Sequence, residues 1–142
     1  MDIRLDPDKS RCKASQKIIV SQDNKSSRKH IAYNDDGFRV RHYRLDGDLV
    51  KQEKCCDFLL LNDSNYRAYF VELKGRNIED AVPQLENAER LCRSQLKGYT
   101  FLYRIVCSKA KTHDIQKTVF RKFKDKCGTR LQYKCNVLEE KL

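Results

Sequence analysis

The hydrophobic and polar positions change period along the chain, and each change marks a predicted element. Residues 1–36 are polar, with one apolar cluster, Ile18-Ile19-Val20, followed by the turn-rich strings SQDNKSSRKH and NDDG. That pattern predicts a poorly specified segment with room for a short strand at 17–20. From residue 38 the period is two. Phe38, Val40 and His42 alternate with Arg39, Arg41 and Tyr43, and Asp46-Gly47 makes a turn before Leu49 and Val50, which reads as a hairpin. Residues 56–61 (CDFLLL) form a buried strand, Asn62, Asp63, Ser64 and Asn65 supply a turn, and 66–73 return as a second strand.

The period then becomes 3.6. Ile78, Ala81, Val82, Leu85, Ala88, Leu91, Cys92 and Leu96 fall on one stripe, predicting a helix that runs to about Lys97 and stops at Gly98. Pro83 fits if Asp80 is the N-cap, because its missing N–H then lies in the first turn. Residues 99–107 (YTFLYRIVC) are aromatic and β-branched and predict a core strand. A second helix fits 113–126, with Ile115, Val119, Phe120 and Phe123 inward and Lys117, Arg121, Lys122 and Lys124 outward, ended by Gly128. Leu131, Tyr133, Cys135 and Val137 alternate with polar residues, as in a half-exposed edge strand. Strands, then helix, strand, helix and strand predict an α/β fold around a mixed sheet, with 37–142 as the structured part of a single domain.

Composition narrows the class. The 142 residues carry 30 Lys and Arg against 20 Asp and Glu, a net charge of +10, which favours an anionic partner, nucleic acid before membrane. No apolar run is long enough to span a bilayer and no signal peptide is legible, so a cytoplasmic protein is expected. The seven cysteines form no C-x-x-C pair, and His30, His42 and His113 are far apart in sequence. Reduced, mostly buried thiols are expected rather than a disulfide framework or a zinc site. Cys55-Cys56 reads as packing, and His42 and His113 as ordinary strand or surface residues.

One group of polar residues breaks the apolar pattern. Glu72 and Lys74 share a strand face with Phe70, and the hairpin turn at 62–65 returns the Asp57 end of the preceding strand beside them. Two carboxylates and an ammonium then converge. Asp57 and Glu72 would offer hard oxygen ligands to Mg²⁺, with the Leu73 carbonyl and waters completing the shell, and Lys74 would orient or help deprotonate a nucleophile. That set suits phosphodiester hydrolysis. Taken singly, Glu72 and Lys74 could equally be a surface ion pair.

Asp57, fourteen intervening residues and Glu72-Leu73-Lys74 resemble the PD-(D/E)xK nuclease superfamily. The longer string CDFLLL, a turn, YFVELKG and then Ala81-x-x-Gln84-Leu85 is similar to small bacterial and phage members, over roughly residues 38–107. The resemblance implies a restriction-endonuclease-like mixed central sheet flanked by helices. It also implies Asp57 and Glu72 as ligands of Mg²⁺, with Mn²⁺ as substitute, Lys74 as the catalytic lysine, and Gln84 facing the site. Cys56 stands where the motif has proline, and no N-terminal acidic helix is legible, although Glu53 would share the Asp57 face if the strand began early.

The expected activity is metal-dependent cleavage of nucleic acid, DNA before RNA. Arg39, Arg41, Arg44, Lys117, Arg121, Lys122 and Lys124 are the candidate backbone contacts. A homodimer would suit a duplex substrate. The competing expectation is a non-catalytic adaptor or inhibitor on the same fold, binding nucleic acid or protein.

Overall fold

Apolar residues at consecutive rather than alternate positions force a strand to bury both faces, and this decides the architecture. The computed structural model describes residues 3–24, 26–74, 77–108 and 117–142. In it β4 (Phe58–Asn62) is buried throughout, and β5 (Arg67–Lys74) is buried from Ala68 to Leu73. Both lie inside a five-stranded sheet of order β3-β4-β5-β6-β7, where β3 is Val40–Arg44, β6 Thr100–Cys107 and β7 Leu131–Cys135. The first three strands form an antiparallel meander, with Arg44 opposite Phe58 and Phe58 opposite Val71. β6 and β7 then add in parallel, placing Lys74 beside Cys107 and Cys107 beside Cys135.

Leu59, Leu61, Ala68, Phe70, Tyr103 and Ile105 line the face that meets two helices. Helix α1 (Ala81–Cys92) buries Val82, Leu85, Ala88 and Leu91 against it, the predicted stripe. Short 3-10 turns, Ile78–Asp80 and Arg93–Gln95, extend α1 at its two ends, and Gly98, at φ +84°, reverses the chain. Pro83 sits in the first turn as expected. Asp80 makes no side-chain cap, because its backbone is already helical in the preceding 3-10 turn. Helix α2 (Thr118–Cys127) buries Phe120, Phe123 and Cys127. Val119, expected inward, is exposed, since the buried stripe follows 120, 123 and 127 and turns 119 outward. Ile115 and His113 lie outside the described residues.

The opposite face carries Phe58, Leu60, Tyr69, Val71, Leu73 and Val106. Here the expectation of flanking helices gives way to a second sheet. Three strands, β1 (Ile18–Gln22), β2 (Lys29–Tyr33) and β8 (Val137–Lys141), pack Ile19, Ala32 and Leu138 against it. β1 runs antiparallel to β2, and β8 runs parallel to β2, so the polar N-terminal stretch is tied to the far end of the chain. The mixed α/β class stands, as three layers: helices, large sheet, small sheet.

Two local predictions change for identifiable reasons. The hairpin partner of β3 is β4 rather than Leu49-Val50. Those residues close a tight turn instead, with Gly47 N–H donating to Val50 O at 2.9 Å and Val50 N–H donating to Leu45 O at 2.8 Å. The expected last strand is divided at Asn136, whose φ of +66° swings the chain from one sheet to the other.

Buried polar groups join the layers. Arg104 of β6 donates Nε and Nη2 to the two Glu140 carboxylate oxygens, at 2.7 and 3.0 Å, and His30 Nε2 meets the same carboxylate at 2.6 Å. These partners hold Glu140 down at about pKa 2 although burial opposes them. His42 stacks on Phe58 at 5.1 Å and bonds Ser21 Oγ over 2.9 Å, and burial pushes it down to about 4. Among the described residues no helix is long and apolar enough to cross a membrane.

Candidate active site

Strand pleat puts alternate side chains on one face, so Asp57, Glu72 and Lys74 all belong to the helix side of the large sheet. Asp57 lies one residue before β4 and Glu72 opposite it on β5, at the sheet end where α1 begins. The Asp57 N–H donates to Glu72 Oε1 over 3.1 Å, and the Leu73 N–H donates to Asp57 Oδ2 over 2.9 Å. The Asp57 carbonyl accepts from Leu45 N–H at 2.8 Å, fixing the residue from the β3 side as well. The pair is therefore held by backbone on both neighbours.

Burial makes two adjacent carboxylates expensive. Glu72 is only 3% exposed, and burial together with the charge of Asp57 pushes its pKa up to about 9. Asp57 is also raised, burial first, with the Leu73 N–H, Glu72 and nearby Arg44 opposing. Burial and the neighbouring Asp57 carboxylate thus favour the protonated form of Glu72 near neutrality. Lys74 Nζ donates to Gln84 Oε1 over 3.2 Å, so the glutamine of α1 seats the ammonium beside the carboxylates.

No protein-family model, curated protein or solved structure matches the chain.

Of the trio, Lys74 reaches a cleft of about 920 Å³ that it lines with Asp46, Glu53, Lys54, Asp80, Pro83, Gln84 and Asn87, while Asp57 and Glu72 are not on its walls. Asp46, Glu53 and Asp80 outnumber Lys54 and Lys74 on its walls, so the cleft is acidic in a chain whose net charge is +10. A phosphate entering it meets like charge unless a cation enters too. Asp57 and Glu72 fit such a cation in donor type, as hard carboxylate oxygens at neighbouring positions, one just before β4 and the other on β5. Among the described residues no three His, Cys, Asp or Glu side chains stand together as a ligand set. Mg²⁺ commonly takes one or two carboxylates and completes its shell with waters and substrate phosphates, which this pair and the Leu73 carbonyl would allow.

Asp46 and Asn87 escaped the sequence reading. Asp46 looks like turn chemistry beside Gly47, yet it raises the pKa of Asp57 through space. Asn87 lies one helical turn beyond Gln84 and so could have been found by spacing. Its Nδ2 donates to Lys54 O at 2.6 Å and its Oδ1 accepts from Arg90, which binds Glu53 at 2.8 Å. Glu53 is thereby a wall of the cleft, held by Arg90, and Gly75 lies outside the described residues.

The basic candidates are not gathered on one surface. Arg44 lies at the site end, 5.1 Å over the Phe58 ring, with Nε donating to Asp46 O. Lys117 also reaches that end, paired with Glu79 at 2.9 Å. Arg41 is committed to Asp63 through two bonds, at 2.7 and 3.0 Å, at the opposite end of the meander, where Arg39 is exposed. Arg121 and Lys122 are exposed on α2, and Lys124 lies over Tyr133 at 5.6 Å.

Proposed function

We propose that the chain is a metal-dependent nuclease of restriction-endonuclease-like fold that hydrolyses nucleic-acid phosphodiester bonds, DNA before RNA. The observation that carries this reading is the contact of Asp57 and Glu72 at one end of the large sheet, with Lys74, on the same face, bonded to Gln84 in the wall of an acidic cleft. The mixed five-stranded sheet, with helices on one of its faces, is compatible with that reading. Asp57, Glu72 and the Leu73 carbonyl would hold Mg²⁺, or Mn²⁺ in its place. When bound, the ion would supply charge neutralisation and a more acidic water.

The remaining work belongs to side chains. Lys74 offers a positive charge and proton donors to a phosphate oxygen, and Gln84 fixes where that ammonium stands. Arg44, over the Phe58 ring, and Lys117, paired with Glu79, lie at the same end of the sheet and are the basic candidates nearest the trio for contacts to the phosphate backbone. The acidic walls repel a nucleic acid that arrives without cations, which makes activity conditional on divalent metal.

A second reading, a binding module without chemistry, draws on one observation. Asp57 Oδ2 already accepts from the Leu73 N–H and Glu72 Oε1 from the Asp57 N–H, so each carboxylate has a backbone partner without metal. Cleavage of linear, circular, branched and single-stranded DNA and of RNA, with Mg²⁺ or Mn²⁺, separates the two. Metal-dependent cleavage lost in Glu72→Gln and in Lys74→Ala supports the nuclease. Binding without cleavage of any substrate, unchanged in both variants, overturns it in favour of the module.

A further inference from the structure

The turn joining β4 to β5 holds an aromatic residue where backbone geometry asks for a different one. Tyr66 has φ +57°, in the left-handed region, and is 56% exposed. Two other non-glycine residues share that conformation among the described residues, and both are asparagines, Asn77 and Asn136. Asparagine and glycine tolerate it, whereas a bulky side chain there is strained. The backbone of the turn does not call for tyrosine, so what the residue adds is its ring.

The ring is held in place. Tyr66 stands edge-on to Tyr99, with centroids 5.5 Å apart and an interplanar angle of 82°. Tyr99 Oη donates to Asp63 Oδ1 over 2.6 Å, and Asp63 is clamped by Arg41. Asn62 Oδ1 accepts from Ser64 and Asn65 N–H at 3.1 Å each, and Tyr66 O accepts from Thr100 N–H at 2.8 Å, so the turn is braced from both sides. Exposed Arg39 is joined to this turn through its N–H to Ser64 Oγ and its carbonyl to Asp63 N–H. Exposed Arg67 follows Tyr66 directly.

We infer that Tyr66, braced by Tyr99 and flanked by Arg39 and Arg67, is a stacking platform for single-stranded nucleic acid. A preorganised aromatic face takes a base of any identity, and adjacent guanidinium groups take the phosphates on either side of it. The platform lies about 20 Å from Glu72 along β5, at the other end of the sheet from the cleft. The inference rests on the nucleic-acid reading of the chain but not on catalysis.

The test uses the full chain in EDTA, with fluorescent oligo(dT) and oligo(U) of about 20 nucleotides as separate probes. Tyr66→Asn keeps a residue suited to the left-handed backbone and removes the ring. We expect it to melt no lower than the wild type and to bind about tenfold more weakly, while Tyr66→Phe binds as the wild type does. Arg39→Ala with Arg67→Ala should reduce the slope of log affinity against log salt by roughly 1.4. The chain has no tryptophan, so Tyr66→Trp creates a single reporter whose emission should be quenched by either oligomer that binds. The oligomer that responds decides between DNA and RNA. Equal binding by Tyr66→Asn, an unquenched reporter, or no binding of either oligomer at low salt would overturn the platform. Metal-dependent cleavage that persists alongside such a result would leave the nuclease reading intact and sink this inference alone.

Discussion

Asp57 and Glu72 grip each other through the backbone: Asp57 N–H donates to Glu72 Oε1 at 3.1 Å while Asp57 Oδ2 accepts from the next residue, Leu73, at 2.9 Å. Their separation is thus set by the β4–β5 ladder and not by side-chain choice. If the pair holds a divalent ion as proposed, that ion would favour both carboxylates in their charged form and would stabilise the fold by mass action. Mn²⁺ at about one hundred times its dissociation constant should add about 2.7 kcal/mol to the wild type. Asp57→Asn with Glu72→Gln should melt at the same temperature with and without the ion, a comparison that differential scanning fluorimetry makes directly.

Lys74 and Gln84 should separate in kinetics. On the nuclease proposal, Lys74→Ala removes the charge that would face the phosphate and is expected to cut kcat by about 10² to 10⁴. Gln84→Ala leaves the ammonium in place but loose, so a smaller loss of about tenfold is expected, with metal affinity unchanged. Single-turnover rates beside Mn²⁺ titrations measure both. A Gln84 variant that loses metal affinity as well would contradict the assigned positions.

Acid stability should show two windows. Glu140, with a folded pKa near 2 against an ordinary 4.5, adds stability that is full above 4.5 and is lost as pH falls toward 2. His42, pushed down to about 4 from 6.5, adds stability that is full above 6.5 and is lost as pH falls through 4. Urea midpoints measured between about pH 7 and pH 3 should fall along both, and Glu140→Gln should flatten only the lower one.

Removing one side of the inter-sheet ion pair leaves a charge uncompensated in a dry layer. Arg104→Ala should cost about 3–5 kcal/mol in urea unfolding. Arg104→Met combined with Glu140→Leu should recover much of that loss, because the pair's net worth is small compared with the harm of breaking it.

Thiol reactivity follows burial. Cys12 and Cys135 are partly exposed, while Cys55, Cys56, Cys92, Cys107 and Cys127 are buried. An aromatic disulfide reagent should titrate those two first in the native protein, and all seven cysteines in denaturant.

The centre of the fold was legible because its signals are local. Consecutive apolar residues at 58–61 announce burial on both faces, and the 3.6-residue stripe from Ile78 to Leu91 announces α1. The trio was legible for the same reason, since polar residues at 57, 72 and 74 interrupt apolar strands whose pleat fixes their face. Gln84 could be placed beside Lys74 only because α1 starts where its pattern says it does.

The small sheet was not legible, and the reason is physical. Its buried positions include Ser21, His30 and Asn34, which a local reading assigns to loops. Each is satisfied by a distant partner: Ser21 by His42, His30 by Glu140, and Asn34 Nδ2 by Gln16 O and Phe38 O. β8 was hidden in the same way, because VLEEK reads as a polar tail until Glu140 meets Arg104. The exposed basic residues carried no comparable signal, since nothing in the order of lysines and arginines tells which of them an internal carboxylate has already claimed.

The parallel pairing of β2 with β8 also sets an order of events. A ribosome delivers Lys29–Tyr33 long before Val137–Lys141, so the small sheet waits until residues 137–141 have been made. Until β8 arrives, Phe58, Leu60, Tyr69 and Val71 have only Ile19 and Ala32 of the β1–β2 hairpin to cover them and lack Leu138, on a sheet whose other side can already be covered by α1. A nascent chain at that stage is a half-covered sheet, sticky on one face, and is the species on which a chaperone or an aggregate would act.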